Sequence, residues 1–143
     1  EADEERLSSA VDTAQARDVV NAKENGYDSV LEQNGRNLSG GQKQRISVAR
    51  AIAKRPEVLI LDDSSSALDN ITDLKLRRAI KSLDYPVTTF IVSQRASSVL
   101  GADKIIVMDE GEIVGIGTAD ELRKTCAVFR EIEDSQSSSE ARK

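Results

Sequence analysis

Apolar positions in the first third of the chain recur at helical spacing, whereas later ones alternate between short continuous runs and helical stripes. Leu7, Ala10, Val11 and Ala14 lie on one helical face, with Asp3, Glu4 and Glu5 where a helix dipole favours carboxylates, so residues 3–21 are predicted as one or two short helices. Asn25-Gly26 and Asn34-Gly35 are turn signals bracketing Tyr27 to Leu31. Ser39 is a candidate N-cap for a stripe through Ile46, Ala49, Ile52 and Ala53, which Arg55-Pro56 stops. The apolar run Val58 to Leu61 ends in Asp62-Asp63 and suits a strand buried on both faces of a parallel sheet. Helical spacing returns through Leu74, Ile80 and Leu83, and Val87 to Val92 is again strand-like. Lys104 to Met108 and Glu112 to Ile116 flank the turn Glu110-Gly111 as a hairpin. Thr118-Ala-Asp-Glu121 matches a capping box and opens a last helical region through Arg130, before a serine-rich end.

The fold expected is α/β: a partial parallel-sheet core with an attached helical subdomain. The predicted divisions are a helical part over 1–55, an α/β part over 56–134 and a flexible tail over 135–143. With 143 residues, 38% hydrophobic and 31% charged, the chain fits one ordinary domain with a real core, which excludes a disordered or fibrous class.

Charge and rare residues narrow the chemistry. Aromatic residues make up 3%, Trp is absent and the net charge is −5, so neither a stacking platform nor a basic phosphate grip is present and nucleic acid is not the expected partner. The single cysteine, Cys126, cannot close an intrachain disulfide and is too little for a zinc or iron–sulfur site, which predicts a reducing compartment. With no His, a Ser-His-Asp triad or a His-ligated metal cannot be built from these residues. No apolar run approaches the ~20 residues of a spanning helix, so any membrane crossing must be made by another segment.

Leu38-Ser39-Gly40-Gly41-Gln42 places a hydroxyl, two glycines and an amide at a helix start, where exposed N–H groups and the dipole can receive a phosphate. The same residues also suit an ordinary Ser cap and a Gly-Gly turn. Val58-Leu-Ile-Leu61-Asp62 delivers a carboxylate at a strand's C-terminal tip, where open α/β sheets bind ligands. Asp62 there can hold Mg²⁺, usually through water, and Asp63 can orient or deprotonate an attacking water; both can equally begin a solvated loop. Ser66, Ala67, Leu68 and Asp69 follow, with Asp69 also readable as the cap of the next helix.

In this order and spacing the residues resemble the nucleotide-binding domain of ATP-binding cassette (ABC) transporters of the exporter type. Leu38 to Gln42 is similar to the signature motif, Val58 to Asp62 to Walker B, Ser66 to Asp69 to the D-loop, and Ile91-Val-Ser-Gln94-Arg95 to the switch-loop region. The resemblance runs from the first helix to about Arg130. Three departures stand out. Asp63 and Gln94 stand where the family usually has Glu and His, and the Gly-x-x-x-x-Gly-Lys-Ser/Thr loop of Walker A occurs nowhere in these residues. A carboxylate withdrawn by ~1 Å, and an amide that cannot carry charge in place of an imidazole, weaken the catalytic side.

The resemblance implies an ABC-type ATPase using ATP and Mg²⁺, with this chain as its C-terminal part and inactive alone. It implies two partners: a second, heterodimeric cassette whose ATP site is completed by Leu38, Ser39, Gly40, Gly41 and Gln42, and a transmembrane domain of the same transporter. It also implies a place at the cytoplasmic face of a membrane. This chain's own site, with Asp62, Asp63 and Gln94, is expected to be degenerate. A non-transport ABC ATPase, or a nucleotide-binding regulatory module without turnover, is the alternative.

Overall fold

A computed structural model describes residues 3–140 of the chain. The chain forms two compact units that divide between Val92 and Ser93.

In the first unit, Asp3 caps α1 (Glu4–Thr13), its Oδ1 accepting from the Glu5 amide at 3.1 Å and the Arg6 amide at 3.4 Å. After a left-handed turn at Gln15, α2 (Arg17–Asn21) follows, and 3₁₀ turns at Gly26–Asp28 and Gln33–Gly35 lead to α3 (Gly40–Ile52). Ala10, Ala14, Ala16 and Ala49 are buried where α1 meets α3, because small side chains let the helices approach closely. Arg45 on α3 holds Asp18 on α2 at 2.6 Å, and that hydrogen bond keeps the Asp18 carboxyl below its ordinary value. Arg55 adopts left-handed backbone (φ 49°) ahead of Pro56, a position where the following ring disfavours continued helix.

The strand β1 (Val58–Asp62) pairs in parallel with β2 (Thr88–Val92), from Val58 opposite Thr88 to Asp62 opposite Val92. Between them runs α4 (Asn70–Lys81), whose Leu76 and Ile80 join Leu59, Leu61, Val48 and Ile52 in one core. The described helices of the segment expected as a helical subdomain, 1–55, thus pack with the strand that follows them. The expectation of a strand buried on both faces is corrected. Leu59 and Leu61 are buried, but Val58 and Ile60 on the other face are 53% and 66% exposed, beside exposed Phe90 and Val92. The cause is layering: among the described residues of this unit, helices cover only one side of the two strands.

The second unit holds α5 (Ala96–Val99), an antiparallel hairpin of β3 (Ile105–Asp109) and β4 (Glu112–Gly117), α6 (Ala119–Thr125) and α7 (Ala127–Glu140). Glu110 and Gly111 both take positive φ, the conformation a two-residue hairpin turn requires. Ile105 and Val107 pack with Ala119, Leu122, Cys126 and Phe129. A Cβ at Gly115 would lie 2.9 Å from Leu122 Cδ2 and 3.0 Å from Cys126 Sγ, so the glycine admits the helix.

The capping box forms as the sequence suggests, Thr118 Oγ1 accepting from the Glu121 amide and Glu121 accepting from the Thr118 amide. The helical region expected through Arg130 forms as two helices that break at Cys126, whose extended backbone turns its thiol into the core. Helix α7 then continues to Glu140, through serines expected to begin a flexible tail; Glu133 ties back to Arg123 at 2.8 Å, and Gln136 to Gln94 and to Ala96 at the start of α5. The end of that predicted tail, 141–143, lies outside the described residues. No helix among the described residues is long and apolar enough to cross a membrane.

Candidate functional site

Ser39 is the N-cap of α3 and forms a complete capping box: its Oγ accepts from the Gln42 amide at 3.3 Å, and Gln42 Oε1 accepts from the Ser39 amide at 2.9 Å. Leu38 is buried and anchors the turn, while Ser39 and Gly40 are exposed. An exposed glycine-bearing N-terminus on a helix of 13 residues offers unpaired N–H groups and the positive end of the dipole to an incoming anion.

The glycines also face inward, against the loop that leaves β1. A Cβ at Gly41 would lie 2.9 Å from the Ala67 carbonyl oxygen, and one at Gly40 would lie 3.3 Å from the Ala67 side chain. Gly41→Ala must therefore displace backbone rather than a flexible side chain. We expect it to cost about 1–3 kcal/mol, read as a lowered urea midpoint with an unchanged slope; an unchanged midpoint would mean that the loop gives way freely.

At the tip of β1, Asp62 and Asp63 are both exposed, and the Asp63 amide donates to the Val92 carbonyl at 3.0 Å. Asp63 has φ 47°, a left-handed conformation that Asp tolerates better than most residues. The turn beyond it is self-braced. Ser66 Oγ donates to the Asp63 carbonyl at 3.0 Å, Leu68 is buried, and Asp69 caps α4 by accepting from the Ile71 and Thr72 amides at 3.0 and 2.9 Å. Those bonds, the Thr72 amide foremost, hold the Asp69 carboxyl below its ordinary value.

The residue that sequence reasoning passed over is Gln44. Its Nε2 donates to the Asp63 carbonyl at 3.1 Å and to Ser66 Oγ at 2.8 Å, and its Oε1 accepts from the Ala67 amide at 3.0 Å. One amide thus joins the helix that begins at Ser39 to the loop that begins at Asp62. A signal existed: Gln44, Val48 and Ile52 stand four residues apart on one helical face, so a polar side chain there points inward and needs partners.

Gln94 belongs to the second unit, two residues past Val92 in sequence, and its side chain is exposed. The structure therefore brings Ser39 to Gln42 together with the Asp62 to Asp69 loop inside one unit, and holds Gln94 in the other.

Among the described residues no group of three or more His, Cys, Asp or Glu converges as a metal cage. Mg²⁺ of the nucleotide-site kind keeps several waters and takes one or two protein carboxylates beside phosphate oxygens. Asp62, an exposed hard oxygen donor at a strand tip, suits that part.

Residues 2–66 match the family model of the ABC transporter. The chain is 43% identical over 132 residues to the ABC transporter ATP-binding protein YfiB of Bacillus subtilis, covering 92% of this chain and 23% of that protein. It is 40% identical over 128 residues to the beta-(1→2)glucan export ATP-binding/permease protein NdvA of Brucella melitensis, covering 90% of this chain and 21% of that one. Against the ATP-dependent lipid A-core flippase of Chromohalobacter salexigens, identity is 42% over 122 residues, or 85% of this chain and 21% of the flippase. The chain thus spans less than a quarter of the length of these relatives. Among solved structures, a bacterial Atm1-family ABC exporter with ATP bound superposes with a TM-score of 0.86 at 30% identity, over 94% of this chain and 24% of that one.

Proposed function

We propose that this chain, whose sequence and fold are similar to the ATP-binding domains of ABC exporters, supplies the signature and Walker B parts of such a domain in a transporter that couples ATP to export. The observation that carries the reading is the clasp between the two motifs. The helix N-terminus at Ser39 and the carboxylate-bearing tip at Asp62 are fixed to each other by Gln44 and by the fit of Gly41 on Ala67. Such rigidity suits two elements that must meet nucleotide in register.

In this reading the two motifs serve different nucleotides. Ser39, Gly40, Gly41 and Gln42, anchored by Leu38, donate N–H and O–H groups to ATP held by a second, heterodimeric cassette. Asp62 and Asp63 with Gln94 serve this chain's own site: Asp62 as the Mg²⁺ ligand through water, Asp63 orienting water, Gln94 donating to the terminal phosphate. Ser66, Ala67, Leu68 and Asp69 form the turn that keeps the two motifs in step. Bound Mg²⁺ supplies positive charge against the phosphates. Short Asp63 and uncharged Gln94 leave this site slow, so the partner's site does most of the turnover. The spanning segments belong to a transmembrane domain of the same transporter, with this chain at the cytoplasmic face.

Titration calorimetry tests the reading. The full-length protein is expected to bind Mg-ATP with micromolar affinity, whereas residues 1–143 alone, having no phosphate-wrapping loop and Lys, are expected to give no measurable heat. Tight binding by the 143 residues alone would sink it.

A further inference from the structure

The segment that carries Gln94 leads straight into a very short helix. Helix α5 is only four residues long, and its N-cap residue, Arg95, gives no side-chain capping bond. A helix this short does not stand by itself, and the amide of its first residue, Ala96, has no acceptor one turn back within the helix. The missing partner comes from α7. Gln136 Oε1 accepts from the Ala96 amide at 2.8 Å, and Gln136 Nε2 donates to the Gln94 carbonyl at 2.6 Å. One half-buried side chain thereby fixes the backbone on both sides of Arg95, whose own amide donates to Ser93 Oγ at 3.0 Å. Only a side-chain amide has both a donor and an acceptor placed for this: a carboxylate would accept from Ala96 but repel the Gln94 carbonyl, and an alkyl chain would do neither.

We infer that Gln136 is a positioning residue for Gln94: it clamps the Gln94–Ala96 backbone and so fixes the point from which the exposed Gln94 side chain projects. This deepens the functional reading above and rests on it for the claim that Gln94 meets nucleotide. It does not rest on it for the clamp. The helical course of α7 past Ser135 acquires a reason, because the helix must reach residue 136 to close the clamp.

Hydrogen–deuterium exchange of the full-length protein, with and without Mg-ATP, tests the inference using Gln136→Leu and the isosteric Gln136→Glu. Without nucleotide, exchange in the 94–98 peptide should rise roughly tenfold in Gln136→Leu, the loss of two hydrogen bonds from a marginal segment. Exchange in β3 and α6, held by the Ile105, Leu122 and Phe129 core, should stay within about twofold. Gln136→Glu should behave like the Leu variant, because its size is kept but its donor is lost. With Mg-ATP, the wild type should gain protection at 94–98, and both variants should lose that gain while a fluorescent ATP analogue still binds within about threefold of wild-type affinity. Unchanged exchange at 94–98 in both variants would overturn the clamp. A rise spread equally through β3 and α6 would reduce Gln136 to general support of the unit and overturn its positioning role. If Mg-ATP binds the wild type but gives 94–98 no protection, Gln94 does not meet nucleotide. The functional reading of Gln94 then fails, and the nucleotide-free rise at 94–98 in the variants shows that the clamp itself survives.

Discussion

Ser39→Arg in this chain is expected to lower ATP hydrolysis by the assembled transporter roughly 10²-fold, the scale of losing one preorganised donor at a developing charge. Ser39 stands at the exposed N-terminus of a 13-residue helix, with its hydroxyl accepting from Gln42 and its remaining valence open to solvent. Arg there removes the cap, which costs about 1 kcal/mol of helix stability. It also places a long cation where the phosphate of the partner-held nucleotide would approach. The effect is therefore felt in trans, at the site proposed to carry the turnover. Asp63→Asn should cost far less, since the carboxylate it removes belongs to the slower site. The comparison needs saturating Mg-ATP and a check of expression and dimerisation for each variant. Should Asp63→Asn prove the more damaging change, this chain would own the working site and the assignment of roles would be reversed.

What the sequence disclosed follows from how far each cause reaches along the chain. Ser39 with Gln42, and Thr118 with Glu121, are read correctly because a capping box is closed by residues three apart. The hairpin is legible for the same reason, since Glu110 and Gly111 encode its turn locally. Gln44 and Gln136 escaped because their partners lie 19 to 23 and 40 to 42 residues away, and a lone glutamine in a helix carries no mark of what it will meet. Helix α5 was missed because its capping bond comes from α7. The exposure of Val58 and Ile60 was not legible either: an apolar run says that a strand suits burial, while the number of layers that cover it is set elsewhere. Asp62, proposed as the Mg²⁺ ligand, and Asp63, proposed as catalytic, were picked out by position, at the end of an apolar run. Their order relative to Ser39, which depends on Gln44, needed the fold.

Asp63→Glu combined with Gln94→His should raise hydrolysis at this chain's own site by roughly tenfold or more, since misplacing a reacting group by ~1 Å can cost about 10²-fold. Glu extends the carboxylate by one methylene from the same loop, whose backbone is held by the Val92 carbonyl and by Gln44. His supplies a ring whose ordinary titration lies near pH 6.5, so it can carry charge beside a phosphate where Gln94 cannot. The gain has a cost that the backbone dictates. Residue 63 sits at φ 47°, where Asp is tolerated and Glu less so, and the variant should lose about 1 kcal/mol of stability while gaining rate. Separating these effects requires hydrolysis resolved by site, with the partner's own site silenced, alongside a melting curve for each single and double variant. The double variant should gain less than the product of the two single effects, because in this reading an extended carboxylate and a chargeable ring act on the same phosphate. Hydrolysis that stays at the wild-type level in the double variant, with nucleotide affinity intact, would mean that Asp63 and Gln94 are not what makes this site slow.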